Sequence, residues 1–167
     1  MPNVPSENLR IATSPVHGRG LWCVNGQRAG EPLFVVRGRR MRLRFEDGYH
    51  PHWIGVGWQC WLAPERGNPI RFTNHSCAPN VIVGEGLVVV ALEDIRPGSE
   101  ILLDYSTTEV DPDWSIRCRC RSPGCRGTVR AFPHLPEALR TRYAPHLPAA
   151  FLKAAQRAAG TLDRRRD

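Results

Sequence analysis

The run Cys118-Arg119-Cys120-Arg121-Ser122-Pro123-Gly124-Cys125 constrains this chain more than any other stretch, because it sets three thiols within eight residues. Thiols this close cannot all pair in unstrained disulfides, since the Cα separations and Cβ directions of a disulfide are tightly limited. A zinc ion takes them readily at about 2.3 Å from each sulfur, but a closed structural site needs four ligands. The fourth has to come from elsewhere in the chain. Cys23 and Cys60 sit in apolar segments and read as small core residues. The N-terminal MPNVPSENLR has neither the basic start nor the apolar core of a signal peptide. Clustered thiols in such a chain point to metal before disulfides.

With 167 residues the chain has the length of one domain, and 41% hydrophobic with 23% charged residues excludes wholesale disorder. No apolar run approaches the ~20 residues of a membrane span, so a soluble protein without a membrane partner is expected. The small size and arginine-heavy composition look prokaryotic, which makes the cytoplasm the expected location. The net charge is +7, and 22 of the 23 basic residues are Arg, Lys153 being the one Lys. Two readings stand: a nucleic-acid surface gripping phosphate, or a genome that favours Arg codons. Arg37, Arg39, Arg40, Arg42 and Arg44 form the densest cluster, and Arg164–Arg166 read as a frayed tail.

Fifteen Gly and fifteen Pro cut the chain into short segments, which favours strands and turns over long helices. Strands are expected at Arg10–Ala12, Gly20–Val24, Pro32–Arg37, Gly57–Leu62, Val81–Val83, Leu87–Ala91 and Ile101–Leu103. Gly84-Glu85-Gly86 reads as a hairpin turn and Arg96-Pro97-Gly98 as a tight turn. Toward the C-terminus the pattern changes. Leu135, Leu139 and Tyr143 fall at helical spacing, and short helices are expected at Pro136–Arg142 and at Ala149–Ala159, the second closed by Gly160.

Three further segments carry chemistry. Arg71-Phe72-Thr73-Asn74-His75-Ser76-Cys77-Ala78-Pro79-Asn80 is too polar for a core strand and suits a hydrogen-bonding loop, either a binding feature or a satisfied turn. Gly98 to Tyr105 is an apolar strand ending on Asp104 and Tyr105. Ser14 to Trp22 contains Gly18-Arg19-Gly20, which is not a dinucleotide fingerprint because Cys23 stands at the third glycine position.

In this order and spacing the segments resemble a SET domain with a zinc-binding post-SET segment, a family of S-adenosylmethionine-dependent protein-lysine methyltransferases. The resemblance runs from about Asn8 to Val129. It implies a mostly β fold of small sheets with a pseudoknot, here followed by short C-terminal α-helices. The implied organisation is a SET domain over 8–115, a post-SET segment over 116–130 and a helical extension over 131–167. The resemblance implies that His17, Gly18, Arg19 and Gly20 approach S-adenosyl-L-methionine through their backbone, that Asn74 and His75 contact its amino-acid and adenine parts, and that Tyr105 is catalytic and also borders the cofactor. It assigns Cys77 as the fourth ligand of a structural Zn2+ beside Cys118, Cys120 and Cys125. Leu103 and Tyr105 are implied to line the lysine channel.

Leu103 stands where the family often carries Phe or Tyr, so the product is expected not to be restricted to monomethyl-lysine. A second channel aromatic has no clean motif, with Tyr49 and Trp53 as candidates. The expected partner is a protein substrate bearing a target lysine, histone-like or nucleic-acid-associated. Glu109, Asp111 and Asp113 are candidates for an acidic patch that would offset the overall charge, or for a plain solvated loop. The C-terminal helices read as a homodimer face or as a cover on the substrate groove. The competing reading is a non-catalytic SET-fold module that binds protein or nucleic acid.

Overall fold

The computed structural model describes residues 6–47 and 52–163. Tyr49 and Arg164–Arg166 lie outside the described residues. Among the described residues twelve strands form three sheets. They are β1 (Leu9–Thr13), β2 (Arg19–Cys23), β3 (Pro32–Val35), β4 (Gly38–Arg42), β5 (Ile54–Gly57), β6 (Cys60–Pro64), β7 (Asn74–His75), β8 (Val81–Val83), β9 (Val88–Ala91), β10 (Glu100–Leu103), β11 (Ser115–Arg117) and β12 (Thr128–Arg130). Two helices follow, α1 (Glu137–Tyr143) and α2 (Ala149–Asp163). No helix among the described residues is long and apolar enough to cross a membrane.

The main sheet has the order β1-β2-β10-β8-β9-β3, with β7 added on β10. β10 is its hub. It pairs antiparallel with β2 and parallel with both β7 and β8, Leu103 facing His75 on one edge and Val81 on the other. The polar segment 74–80 therefore loops from one edge of β10 to the other, and the Asn80 side chain pins the crossing. Its amide donates to the Glu100 carbonyl at 2.8 Å and accepts from the Leu102 N–H at 2.8 Å, standing in for a strand that is not there. β4, β6 and β5 make a second sheet, and β11 with β12 a two-stranded ribbon.

β8 is buried on both faces. Val81 and Val83 enter the main core with Leu21, Val89, Ile101 and Leu103, while Ile82 enters a second core built by the C-terminal segment. There Tyr143 and Phe151 are fully buried, and Phe151, Ala154, Ala155 and Ala158 make the inward stripe of α2 at helical spacing. The inward stripe of α2 is thus packed within the chain.

Three expectations need correction. Gly57–Leu62 is not one strand: Trp58 and Gln59 make the tight turn between β5 and β6, and Gln59 takes a positive φ of 47°. Gly160 does not close α2, which runs on to Asp163, so the glycine is an interior residue. Glu109 does not join a surface acidic patch. It is 4% exposed, and its carboxylate accepts from the N–H groups of Val110 and Asp111 at 2.8 and 2.9 Å.

Burial pushes the Glu109 pKa up to about 7, against the opposing pull of those two amides. A carboxyl raised in this way stabilises the fold while both states are protonated, and the contribution is lost as pH rises from about 4.5 to about 7, on the order of 3 kcal/mol. Glu109→Gln should flatten the fall in unfolding free energy across that window. Urea unfolding of the two proteins at both ends of the window checks this, and an unchanged slope would contradict it.

Candidate functional site

The Gly-x-Gly turn is built on Ser14, whose hydroxyl accepts from the N–H groups of Val16 and His17 at 3.0 and 3.3 Å, and whose N–H donates to the Gly18 carbonyl. Gly18 sits at φ 50° with open space where a side chain would go. Gly20 has a different reason to be glycine. A Cβ there would run into the Glu100 carboxylate and the Ser14 side chain. The turn is fastened to the polar loop by Asn74, whose Nδ2 lies 3.1 Å from the His17 carbonyl, 3.2 Å from the Arg19 carbonyl and 2.8 Å from Glu100 Oε1. Three acceptors around one amide nitrogen with two hydrogens make an acceptor-rich spot suited to an ammonium group.

Tyr105 begins a 3-10 turn (Tyr105–Thr108) at the end of β10 and is tied to the same loop from two directions. Its phenol donates to the Thr73 carbonyl at 2.9 Å, and its N–H donates to Nδ1 of His75 at 3.2 Å. The two rings stand 5.3 Å apart, tilted by 55°. His75 is nearly buried, and desolvation lowers its pKa to about 4 against the opposing pull of Asp104, so the imidazole is neutral near pH 7. Because Nδ1 accepts from Tyr105, the ring proton belongs on Nε2, which then donates toward Cys77 Sγ at 3.4 Å.

Behind Tyr105 the cysteines converge. Cys77 Sγ is 3.7 Å from Cys118 Sγ, and Cys118 Sγ is 3.5 Å from Cys125 Sγ. Cys120 Sγ accepts from the Cys77 N–H at 3.5 Å, and Cys77 Sγ from the Arg126 N–H at 3.4 Å. Zinc–sulfur bonds of about 2.3 Å in a tetrahedron set the sulfurs about 3.8 Å apart, so these sulfurs fit a zinc ion. The ligand atoms of His75, Cys77, Cys118 and Cys120 also all lie within 4.8 Å of one another. The proton on Nε2 makes His75 a donor to a thiolate rather than a metal ligand, which favours the four-sulfur set. Burial pushes the thiols of Cys77 and Cys118 up, whereas at Cys120 burial is outweighed by hydrogen bonds from Ser122 and the Cys77 amide, and its pKa falls to about 6. A cation among them is what would hold all of them as thiolates.

The residues that sequence reading missed are Asp104 and Arg126. Asp104 is 0% exposed and receives both arms of the Arg126 guanidinium at 2.7 Å each. Its Oδ1 accepts from the Ser106 N–H, capping the Tyr105–Thr108 turn, and its Oδ2 lies 3.5 Å from the Tyr143 hydroxyl on α1. A buried charge must find a partner, but which of 22 arginines supplies it is a fact of topology that no local pattern carries.

Leu103 is 2% exposed, packed in the main core beside Tyr105. Trp53 is half-buried just before β5, and Gly55 of that strand stands where a Cβ would come within 3.0 Å of the Thr108 carbonyl. A cleft of about 160 Å3 opens there, lined by Ile54, Val56, Leu87, Thr107, Thr108 and Phe151 among others.

Asp104→Asn or Arg126→Gln leaves an uncompensated charge or polar group buried and should destabilise the fold by about 3–5 kcal/mol. The double change should cost clearly less than the two single changes combined. Chemical unfolding of the three variants measures both quantities, and a loss under about 1 kcal/mol for either single change would count against the pairing.

The family model that describes the SET domain matches residues 18–106. Histone-lysine N-methyltransferase 2B of Homo sapiens is 33% identical over 137 residues, 72% of this chain and 5% of that protein. Trithorax of Drosophila virilis, a histone-lysine N-methyltransferase, is 32% identical over 133 residues, 70% of this chain and 3% of that protein. The H3 lysine-4 specific histone-lysine N-methyltransferase of Emericella nidulans is 32% identical over 138 residues, 71% of this chain and 11% of that protein. This chain therefore spans only a small part of the length of these relatives. The crystal structure of KRYPTONITE in complex with mCHG DNA and SAH superposes with a TM-score of 0.59 at 24% identity, covering 73% of this chain and 29% of that one, a likeness of fold. Over the span that contains the Gly-x-Gly turn, the polar loop and Tyr105, this chain belongs to the SET domain family.

Proposed function

We propose that this protein transfers a methyl group from S-adenosyl-L-methionine to lysine side chains of proteins, histone-like or nucleic-acid-associated ones. The observation that supports this most is the double tether of Tyr105, phenol to Thr73 and backbone to His75, beside the acceptor cluster around Asn74. In this reading the SET portion spans 8–115, the cysteine segment 116–130 and the helical extension 131–167.

A lysine with a pKa of about 10.4 is neutral in only about one part in a thousand near pH 7.4, a deficit of roughly 4 kcal/mol. An apolar channel beside Leu103 lowers that figure by disfavouring the charged amine. S-adenosyl-L-methionine, when bound, supplies the sulfonium methyl and a positive charge that further disfavours the ammonium. The carbonyls of His17 and Arg19, with Glu100 and Asn74, offer acceptors for its ammonium group. Tyr105 donates to Thr73 and so turns its oxygen lone pairs toward an amine donor, which orients the nucleophile. The amine proton leaves to solvent before attack, so no protein base is needed. Cys77, Cys118, Cys120 and Cys125 would hold a structural zinc ion with no open position, stiffening the wall behind Tyr105.

Incubating cell proteins with the enzyme and isotopically labelled donor should give labelled lysines. Tyr105→Phe should cut transfer at least a hundredfold. Because Leu103 offers no hydroxyl, the products should include dimethyl-lysine by mass. Equal labelling by the variant would refute the role of Tyr105.

Removing zinc, or Cys120→Ser, should weaken donor binding at least tenfold, because the small core of Trp114, Cys118 and Val129 packs against Tyr105. Elemental analysis should find one zinc per folded chain, and calorimetry measures the donor. Unchanged donor affinity after verified metal loss would break this coupling.

A further inference from the structure

Among the described residues β4 is an edge strand that pairs with β6 alone, and it lies in their densest run of positive charge. Arg37, Arg39, Arg40, Arg42 and Arg44 are all exposed within eight residues. Among the residues whose side chains are described, which do not include Glu46, no carboxylate lies within 4.0 Å of any of these guanidiniums, since the two contacts of that kind both belong to Asp104. Asp47, three residues past Arg44, turns its carboxylate to the Arg44 backbone N–H, at 2.9 Å. Arg39 points Nε at the Met41 sulfur, a weak acceptor. Like charges packed this closely repel, and a solvated edge needs only one or two charges to resist pairing. Because nearly every basic residue of the chain is Arg, the choice of arginine says nothing; its position does.

We propose that the β4 edge is a docking site for a duplex nucleic acid, with the strand lying along a groove. Successive side chains of a strand point to opposite faces, so Arg40 and Arg42 reach to one side and Arg39 to the other, flanked by Arg37 and Arg44. Residues on one face recur about every 6.8 Å along the strand. A groove has a row of phosphates on each wall, and a ridge with guanidiniums splayed both ways meets both rows. An extended acidic peptide also alternates its side chains, but it carries charge only where an acidic residue stands and on flexible stems, whereas both walls of a groove carry a phosphate at every step. Arg40 also borders the cleft beside Thr107 and Thr108, so a docked duplex would pass close to the turn that begins with Tyr105. The inference stands apart from methyl transfer, and it deepens that reading by favouring substrates held on nucleic acid.

The test is fluorescence anisotropy with a short mixed-sequence DNA duplex across roughly 50 to 200 mM salt. Five phosphate contacts should give a slope of log affinity against log salt of about −4.5. The triple variant R37A/R39A/R42A should bind at least tenfold more weakly at low salt and lose about 2.7 of that slope, one increment of about 0.9 per contact. The triple R37K/R39K/R42K should keep the slope, and R10A/R28A/R96A, an equal change in charge on other exposed arginines, should keep both slope and affinity. Donor binding by R37A/R39A/R42A should match the parent protein, which separates failure here from failure of the methyltransferase reading. The proposal is overturned by any of four results: no duplex binding, an equal loss in the control triple, loss of the slope in the lysine triple, or displacement of the duplex by polyglutamate as readily as by unlabelled duplex.

Discussion

Asp104 carries a carboxylate with no exposed surface, and the site around Tyr105 is assembled on it. Four separate stretches of chain meet there. The Arg126 guanidinium comes from the cysteine segment, the Ser106 amide from the turn after β10, the Tyr143 hydroxyl from α1, and His75 approaches from the polar loop to 3.7 Å. His75 is neutral, so that last approach is a polar contact and not an ion pair. A charge taken out of water costs several kcal/mol unless its partner is well placed, and a bidentate guanidinium is such a partner. Arg126 follows Cys125 directly, so one short segment brings both a sulfur and the counter-charge of Asp104.

That linkage explains why the sequence speaks clearly about some parts of the site and not others. The cysteine run could be read from coordination number alone, because ligand chemistry is short-range and encoded by spacing. The polar segment was legible as a hydrogen-bonding stretch because Asn, His and Ser compete with backbone ladders, but its Asn74-His75 pair joins the main sheet as the buried strand β7, which its polarity argued against. The boundaries of β5 and β6 were not legible, since the turn itself is made by Trp58 and Gln59, neither of which is a usual turn residue. Gly160 misled for the opposite reason: a residue that commonly ends helices lies within one here. A further reason for glycine at position 20 was not legible, because the group that a Cβ there would meet, the Glu100 carboxylate, is eighty positions away in the chain.

The sulfur cluster and the Tyr105 turn are also joined through one residue. His75 gives one nitrogen to the Tyr105 amide and the other to the Cys77 sulfur, so its ring orientation is fixed from both sides. A thiolate that accepts this hydrogen bond favours the same tautomer that receives Tyr105, and the two requirements reinforce one another. Small cores on either side finish the clamp: Trp114, Cys118 and Val129 beneath the sulfurs, and Tyr143 with Phe151 behind Asp104.

The strands that hold these groups are short. β7 has two residues, β8 three and β10 four, lengths at which a ladder alone is marginal in water. Side chains do part of the work of strands here: Asn80 completes the pairing of β10, Asn74 binds the Gly-x-Gly turn, and Asp104 caps the turn that begins with Tyr105. Such bonds sit in a low-dielectric setting where each one polarises and positions the next. Losses at Asn74, Asn80 and Asp104 therefore do not add as independent contacts would, because each removes the support that gives the others their geometry. The shape of the site follows from this polar lattice more than from the β framework around it, and that is why a chain whose strands here are so short can hold a phenol, an amide and four sulfurs in fixed relation.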